Sequence, residues 1–456
     1  MRALLLSPDY ASHYFPLSAL GRELRSRGYD VLVATGPALR SRVEQDGFGY
    51  RELVLGPGSN PGLIRAAEQP GDEGERVDAF LAATREGMIE TLRYQAESRL
   101  RDLLWRPEEV TARLSAILAE VRPSVVVSDQ LAFGATLALR ALAQPYVSFH
   151  PGHPSAIVGP GEVFGFPALR SREFDADDRE LANLWERCVE VSERFTHVFN
   201  RTLRGLNPSA PQVVSAFAAT SPLLTLVNYP AELGEYRRAS LPRSVHFVGA
   251  SVRHEPITDP TLSAWLARPN GELPRIYVSF GSFLSARSDV LARIVDAFRA
   301  EPIQLVVASG VTQSESLPDV PKSWRIQPYV PQPALLRWCD LAISHGGNNT
   351  VTEALWAGVP LLLCPFSTDQ FAAAEDVRRS GLGDVFDPNA ASPEAIADLA
   401  RGVLAGAAPE RAALLSERLR SGAGPAYAVD LIVGLAARRR SVARAGASRA
   451  VRPSLA

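Results

Sequence analysis

One pattern occurs twice in this 456-residue chain: an apolar strand, a loop, a helix with one apolar face, and a second apolar strand. The two copies read RALLLSP (2–8), SALGRELRSRG (18–28) and YDVLVATG (29–36), then RIYVSFGS (275–282), DVLARIVDAFRA (289–300) and IQLVVASG (303–310). Strands that are apolar throughout and alternate with helices are typical of parallel sheets covered on both faces. Because the chain is also too long for one ordinary core, the pattern predicts two doubly wound, Rossmann-like α/β domains. Ligands of such domains bind at the carboxyl ends of the strands, so we expect a site in the cleft between the two domains.

The predicted domain boundaries follow from where these units begin and end. Two further buried strands, SVVVSDQ (124–130) and PLLLCP (360–365), fall one in each half. We expect an N-terminal domain, a connector rich in Pro, Arg and Ser, a C-terminal domain, a late helix and a disordered tail, at residues 1–235, 236–274, 275–423, 424–440 and 441–456.

Composition excludes several classes of protein. The chain is 46% hydrophobic and 21% charged, which is ordinary for a globular protein. The formal net charge of −2 argues against a nucleic-acid partner, and no stretch is long and apolar enough for a membrane span. Cys188, Cys339 and Cys364 are too far apart to predict a zinc site or a disulfide framework. We therefore predict a cytoplasmic protein, either a monomer or a homodimer.

Two segments of the first half do not read as plain crossovers between strands. Residues 73–120 and 172–196 have helical periodicity, long polar faces and embedded Phe, Met, Leu and Trp. Helices inserted beside a cleft commonly shape a pocket for an apolar ligand. Simple packing against the sheet explains the same pattern, and both interpretations stay open.

A glycine pair follows a strand in the second half, in DLAISHGG (340–347). A strand–glycine–helix junction points backbone N–H groups and a positive helix end at its ligand, which suits phosphate. His345 can donate to a phosphate oxygen, and Glu353 can accept from sugar hydroxyls. The alternative for Thr350-x-x-Glu353 is a capping box, which any helix can use.

Four motifs together resemble the donor-binding signature of family 1 glycosyltransferases, the UDP-glycosyltransferase-like enzymes. They are YVPQ (329–332), HGGNNTVTE (345–353), GVP (358–360) and P-x-x-x-DQ (365–370). The N-terminal half is similar more loosely, through its histidine after the first strand and its VVVSD strand. The resemblance implies the GT-B fold, with a nucleotide sugar as co-substrate and no cofactor. Lys322 is the only lysine, a bias that suggests a GC-rich bacterial genome, in which such enzymes serve antibiotic biosynthesis.

The resemblance also implies a role for each matched position. Tyr329 would stack on the base, and the Val330 backbone and Gln332 would address the base and ribose. His345 would touch the diphosphate, which Gly347, Asn349 and Thr350 would cradle. Ser282 would lie near the phosphates, Glu353 would hold the ribose, and Asp369 and Gln370 would read hydroxyls of the transferred sugar. Because HGGNNT departs from the plant HCGWNS, the base (uridine or thymidine) and the sugar stay open.

Two residues of the first half are the predicted catalytic pair. His13, expected in the loop after the first strand, would take the proton of the acceptor hydroxyl. Asp129, at the end of a later strand, would fix the tautomer of that imidazole. Taken alone, His13 could be a solvated loop histidine and Asp129 a cap for a helix from Leu131. His150 and His153, in SFHPGHP, are rival bases.

The predicted function is inverting, metal-independent transfer of a sugar to a hydroxyl of a hydrophobic bacterial secondary metabolite. Asp175-Ala176-Asp177 has the DxD pattern that chelates a divalent ion in another class of glycosyltransferases. It opens an acidic helix, however, where the helix dipole alone favours Asp. Two other functions remain open: a GT-B epimerase acting on a UDP-sugar, and a catalytically silent partner of another transferase.

Overall fold

The computed structural model describes residues 1–62, 69, 71–102, 104–167, 169–238, 240–267, 273–313, 316–422 and 424–450. Within these ranges the strands form two separate sheets, in which every strand pair is parallel. The two helix-covered α/β halves predicted from the repeated pattern are therefore confirmed.

The first sheet has the strand order β3-β2-β1-β4-β5-β6-β7. Its strands are β1 (Arg2–Leu6), β2 (Asp30–Thr35), β3 (Gly49–Glu52), β4 (Val125–Asp129), β5 (Val147–His150), β6 (Thr225–Val227) and β7 (Val245–Phe247). The helices in this part of the chain are α1 (Ala11–Ser26), α2 (Arg40–Gln45), α3 (Glu73–Glu86), α4 (Met88–Asp102), α5 (Pro107–Val121), α6 (Phe133–Ala141), α7 (Asp178–Leu206) and α8 (Glu235–Arg238).

The second sheet has the strand order β10-β9-β8-β11-β12-β13. Its strands are β8 (Arg275–Ser279), β9 (Gln304–Ala308), β10 (Arg325–Gln327), β11 (Leu341–Ser344), β12 (Leu361–Leu363) and β13 (Gly383–Val385). The accompanying helices are α9 (Pro260–Leu266), α10 (Gly281–Leu284), α11 (Ser288–Phe298), α12 (Gln332–Leu336), α13 (Asn348–Ala357), α14 (Gln370–Arg379), α15 (Pro393–Ala405), α16 (Ala408–Gly422) and α17 (Pro425–Ala450).

Each sheet reverses its strand order at one point, between β1 and β4 in the first and between β8 and β11 in the second. The connections that leave neighbouring strands there run in opposite directions, which opens a crevice at the carboxyl ends. The residues that follow these four strands are therefore the ones that the fold presents to a ligand.

The boundary between the halves differs from the prediction at several places. Strand β7 lies inside the predicted connector but pairs with β6, so the first sheet extends past residue 235. Helix α3 crosses the other way: Leu81 packs in the core of the second half. Helix α17 returns to the first half, where Val429 and Ile432 join the core that contains Leu20 of α1. The chain thus crosses between the halves more often than a single connector would allow.

The last helix is longer than predicted. It was expected to end at 440 before a disordered tail, but it continues to Ala450. Ala and Arg dominate this stretch, and both are strong helix formers, so local propensity explains the extension. Residues 451–456 of the predicted tail lie outside the described residues.

In the part of the chain that the structure describes, we find no helix with the length and apolar character needed to cross a membrane.

Candidate active site

A cavity of about 970 Å³ lies between the two sheets. Its wall includes His13 and Phe133 from the first half and His345, Asn349 and Asp369 from the second. The crevices of both sheets therefore open into one space, within the size range of small-molecule sites.

His13 lies in the first turn of α1, not in a loop as predicted. The helix begins early because Asn60 ties down the preceding segment, its carbonyl accepting from the Ala11 N–H at 2.7 Å. Pro16 sits inside the helix and has no N–H to donate to the carbonyl of Ser12. That carbonyl instead accepts a hydrogen bond from Nδ2 of Asn349, at 2.8 Å. Because Pro16 cannot donate to it, the Ser12 carbonyl is available for a hydrogen bond that joins the two halves of the chain.

His13 and Asp129 form the pair that was predicted to be catalytic. Nδ1 of His13 lies 2.9 Å from Oδ2 of Asp129, while Oδ1 accepts the N–H of Leu131 at 2.8 Å. The carboxylate is fully buried and the imidazole is 19% exposed. With Nδ1 engaged, Nε2 is the nitrogen left for a ligand in the cavity. The alternative capping role is wrong, because α6 begins at Phe133 with Ala132 as its N-cap and no side-chain cap; the second oxygen of Asp129 holds the turn before this helix.

The environment of His13 raises its pKa above the ordinary value. Burial acts to lower the pKa, but the charge and hydrogen bond of Asp129, with a smaller contribution from Asp369, outweigh it. The imidazole therefore holds a proton more readily than a free histidine, as a group that must accept one needs to.

The rival histidines do not line the cavity among the described residues. Nε2 of His150 is hydrogen-bonded to the carbonyl of His153 at 2.9 Å, and burial lowers the His150 pKa. His153 is buried between Ser155 and Asp376, each 2.9 Å from one ring nitrogen. Both side chains are engaged in joining segments, which disfavours them as bases.

The glycine pair after β11 leaves the start of α13 open. Gly346 has φ of +84°, a conformation that L side chains rarely adopt, and Gly347 is the N-cap residue. Within the described residues no side chain caps this helix at its N-cap, so its first N–H groups are left without a capping acceptor beside the cavity. This is the geometry of an anion site at a helix N-terminus.

His345 lies between two glycines. A Cβ atom at Gly347 would be 2.4 Å from Nε2 of the imidazole, and one at Gly281 would be 3.1 Å from its Cε1. Burial lowers the His345 pKa to about 4, although a backbone hydrogen bond with Ser279 and the charge of Asp369 oppose the shift. The ring is therefore neutral near pH 7, and can donate one hydrogen bond without carrying a charge.

Glu353, the predicted ribose residue, has protein partners for both of its carboxylate oxygens. It is buried, is absent from the cavity wall, and pairs with Nη1 of Arg253 at 3.4 Å. Its other oxygen accepts from Nε2 of Gln332 at 2.5 Å, and burial raises its pKa. The capping-box alternative is wrong too, because Thr350 donates to Gln332 and the cap residue of α13 is Gly347.

Sequence reasoning missed Arg253, which does line the cavity. Its guanidinium lies over the ring of Phe15 at 4.0 Å and also pairs with Glu255 at 2.9 Å. Tyr329 is half exposed and donates its hydroxyl proton to Glu255 at 2.5 Å. The predicted base-stacking residue is thus held by a charge network from the connector. The local sequence RHE (253–255) is the only signal that could have suggested it.

The remaining predicted donor residues all line the cavity, but several side chains already have partners. Val330 has a buried side chain, and Oγ of Ser282 accepts from Nδ2 of Asn60 at 2.6 Å. Asp369 accepts from the His153 N–H at 2.8 Å, and Gln370 accepts from two backbone N–H groups of its own loop. These contacts hold the loops in place. Because the side-chain oxygen of Gln370 is used within its loop, this residue has few hydrogen-bonding groups left for a ligand.

Aromatic rings form the wall of the first half. Phe133, Phe164 and Phe166 line the cavity, and Phe164 stacks on Phe217 at 4.1 Å between centroids. Of the inserted helices, α4 contributes cavity residues, whereas α7 packs behind the aromatic wall through Phe195. The pocket interpretation therefore applies to the first insertion and the packing interpretation to the second.

The DxD segment serves a helix. Asp177 caps α7 by accepting from the Arg179 N–H at 2.9 Å, and Asp175 pairs with Arg170 at 3.7 Å. Neither residue lines the cavity. Among the described residues, no cluster of three or more His, Cys, Asp or Glu side chains is arranged to hold a metal ion.

Known proteins with similar sequences and structures are consistent with this site. Residues 291–435 match the family described as erythromycin biosynthesis protein CIII-like, C-terminal domain. Over 449 residues the chain is 27% identical to 4'-demethylrebeccamycin synthase of Lentzea aerocolonigenes, with 95% of this chain and 99% of the relative covered.

Solved structures share the two-domain fold. The glycotransferase of kitacinnamycin has a TM-score of 0.67 at 22% identity, covering 95% of this chain and 98% of the other. A spinosyn rhamnosyltransferase complexed with thymidine diphosphate has a TM-score of 0.63 at 22% identity, covering 95% and 100%. The predicted fold of two facing Rossmann-like domains is thereby confirmed.

Proposed function

We propose that this chain, a glycosyltransferase with the GT-B fold, transfers a sugar from a nucleoside diphosphate to a hydroxyl of an apolar acceptor, with inversion. One observation carries the proposal. Asn349, in the first turn of α13, is hydrogen-bonded to the residue next to His13. This contact brings the start of α13 next to the turn that carries His13, which supports a reaction centre shared by the two halves.

The proposed reaction uses these two groups on opposite sides of the anomeric carbon. Nε2 of His13 removes the proton of the acceptor hydroxyl, while the oxygen of that hydroxyl forms the new bond to the anomeric carbon. The bond to the diphosphate breaks on the far side, which inverts the configuration. Asp129 supports the imidazolium that forms, because its oxygen already holds Nδ1 at 2.9 Å.

The leaving diphosphate would be stabilised by groups that are already in place. The open N–H groups of α13 and the neutral ring of His345 supply hydrogen bonds where negative charge develops. We propose that these donors replace a divalent cation, so that transfer is metal-independent. The side chain of Asn349 is engaged by Ser12, so its contribution to the diphosphate would come from its backbone N–H.

The rest of the donor would lie along the second half. We propose that Tyr329 stacks on the base and that Asp369 accepts from sugar hydroxyls, since both line the cavity. Glu353 would act on the ribose end through Arg253, which it holds at the cavity wall. The thymidine diphosphate in the spinosyn rhamnosyltransferase supports thymidine as base, and uridine remains the other candidate.

The aromatic wall supports a hydrophobic acceptor. Phe133 begins α6, four residues after Asp129, so an apolar molecule packed there would lie beside the dyad. The rebeccamycin, kitacinnamycin and spinosyn names of the similar proteins support a bacterial secondary metabolite as its class.

The test is to incubate the chain with UDP-glucose or TDP-glucose and a hydroxylated aromatic acceptor, and to determine the anomeric configuration of the product by NMR. We expect a β-glucoside from either α-linked donor that is accepted. Retention of configuration would contradict the inverting mechanism. Epimerised sugar nucleotide without transfer would favour the epimerase, and nucleotide binding without any reaction would favour the silent partner.

A further inference from the structure

Arg99, on α4, differs from the other arginines of the cavity wall. The described wall residues include Arg99, Arg237, Arg253 and Arg379. Each of the last three is paired with a carboxylate: Glu162, Glu353 together with Glu255, and Glu375. Arg99 alone forms no ion pair and no hydrogen bond within the described part of the chain. Its guanidinium carbon lies 4.5 Å from the centroid of an aromatic ring, Phe164.

The chain makes room for this guanidinium. Gly165 has φ of +94°, and a Cβ atom there would lie 2.2 Å from Nη1 of Arg99. A side chain at 165 would therefore displace the guanidinium from its place on Phe164. The aromatic face, the bare backbone and the cavity opening define one subsite around the cation.

A cation in such a place requires an electrostatic partner. Burial lowers the pKa of Arg99, and the through-space influence of Cys188 and, to a smaller extent, of Asp369 offsets this only in part. Among the described residues Asp369 forms no ion pair with Arg99, and its oxygens accept from the His153 N–H and the Thr368 hydroxyl. A cation–π contact compensates part of the lost hydration, and no acceptor among the described residues bonds the five N–H donors of the guanidinium, so they are available to a ligand in the cavity.

The subsite lies on the acceptor side of the reaction centre. Phe164 packs edge-on against Phe133, which follows Asp129 by four residues. Gln95 lies one turn before Arg99 on α4. Its side-chain oxygen accepts a hydrogen bond from the N–H of Thr368 at 3.2 Å, next to Asp369, which is proposed to bind sugar hydroxyls. The faces of Phe164 are occupied by Arg99 and Phe217, so a ligand that packs against Phe133 and the edge of Phe164 would reach the dyad with one end and Arg99 with the other.

We propose that Arg99 binds a carboxylate of the acceptor, so that this enzyme selects apolar hydroxylated acids. A guanidinium presents two parallel N–H groups whose spacing matches the two oxygens of a carboxylate. The inference rests on the proposed function for the hydroxyl at the other end, but its binding step does not need the transfer reaction.

The test compares 4′-hydroxybiphenyl-4-carboxylate with its methyl ester, which differs in charge but keeps the phenol and both rings. Dissociation constants are measured by calorimetry on the full chain saturated with thymidine diphosphate, and kcat/KM is measured with TDP-glucose. The variants are Arg99→Gln, Arg99→Lys and the control Arg93→Gln, which removes an exposed arginine of the same helix. A thermal melt of each variant checks that it is folded.

For the wild type we expect the acid to bind about tenfold or more tightly than the ester, as for a charged hydrogen bond. Arg99→Gln should remove this preference, Arg99→Lys should keep part of it, and Arg93→Gln should keep all of it. The wild-type comparison needs no variant, so a poorly folded Arg99→Gln would leave the test intact.

Three results would overturn the inference: equal or tighter binding of the ester, failure of the acid to bind, or an acid preference that survives in Arg99→Gln. Weaker binding of thymidine diphosphate itself to Arg99→Gln would assign the residue to the donor. A kcat/KM that is higher with UDP-glucuronate than with UDP-glucose, by an amount that depends on Arg99, would mean that Arg99 binds a carboxylate of the donor sugar. That result would also contradict the proposal. Binding of the acid through Arg99 without sugar transfer would uphold this inference and contradict the proposed function.

Discussion

The two crevices of this molecule have the same topology and opposite chemistry. In the first sheet the crevice between β1 and β4 holds a histidine and a carboxylate in contact, His13 and Asp129. In the second sheet the crevice between β8 and β11 holds a histidine with bare backbone around it, His345 between Gly281 and Gly347. Histidine therefore has a different environment in each crevice, because the neighbouring residues supply a carboxylate in the first and bare backbone in the second.

The pKa values of the two histidines move in opposite directions for this reason. Both are buried, which lowers the pKa, but only His13 has a carboxylate on its ring, and its pKa ends above the ordinary value. His345 has no such partner and its pKa falls to about 4. One imidazole is thereby suited to accept a proton and the other to remain a neutral hydrogen-bond donor. The topology of a doubly wound sheet thus determines where each histidine lies, and the presence or absence of a carboxylate partner determines its chemical role.

The largest expected effect is on His13. The variant His13→Ala should lower kcat by roughly 10²- to 10⁴-fold, the usual contribution of a general base. The dissociation constant of the nucleotide, measured by calorimetry, should stay within a few-fold of wild type, because the diphosphate site belongs to the other crevice. His197→Ala, which removes an exposed histidine of α7, is the control. Near-wild-type turnover in His13→Ala would show that the first crevice does not contain the base.

A smaller effect, with a diagnostic pH dependence, is expected for Asp129. The base must be neutral to act, so in the wild type kcat/KM should rise with pH through a pKa above the ordinary histidine value of about 6.5. Asp129→Asn removes the cause that raises this pKa and leaves the burial that lowers it. The acidic limb of the profile should therefore move to lower pH, while the maximal rate falls because the imidazolium loses its support. An acidic limb that stays in place, or moves to higher pH, would contradict the pairing.

The corresponding change in the second crevice is Gly347→Ala. Its Cβ would lie 2.4 Å from Nε2 of His345, so the ring must move and the open start of α13 is obstructed. We expect donor binding to weaken by about 1.5–3 kcal/mol, as for loss of a hydrogen bond to a charged group. Binding of an acceptor to the first half should be unaffected. Gly402→Ala is the matched control, since a Cβ there meets nothing within 4 Å. Unchanged donor affinity would mean that the diphosphate does not use this loop.

Much of this comparison could be predicted from the sequence, because the evidence for it is local. Apolar strands, the glycines after β11 and the polar residue at the end of β4 all follow from short-range pattern. The expectation that His13 and Asp129 meet needed only the rule that carboxyl ends of neighbouring parallel strands share one edge.

What the sequence could not provide depends on contacts between distant segments. Arg253 and Glu353 are a hundred residues apart, and nothing near Glu353 shows that its carboxylate is occupied. Arg99 is one of many arginines with helical spacing, and only the folded structure shows that no carboxylate of the described residues pairs with it. The early start of α1, ahead of the predicted helical run at 18, was missed for the same reason: the Ser12 carbonyl, to which Pro16 cannot donate, is satisfied from the other half of the chain.

The smallest expected effect is that of substitutions in the DxD segment. This experiment tests whether the second crevice stabilises the leaving diphosphate without a divalent cation. The double variant Asp175→Ala, Asp177→Ala should leave the KM for the donor and kcat unchanged, because neither residue lines the cavity. Loss of the Asp177 cap on α7 should lower the free energy of unfolding by about 0.5–2 kcal/mol, measured by urea denaturation. The wild type should also keep its rate in excess EDTA, since backbone donors and the end of α13 already meet the developing charge. The single variant Asp178→Ala, in the same acidic turn but not the cap, is the control for stability. Activity that disappears on chelation and returns with Mn²⁺ would show that the open helix end is insufficient, and the contrast between a charged first crevice and an uncharged second one would no longer hold.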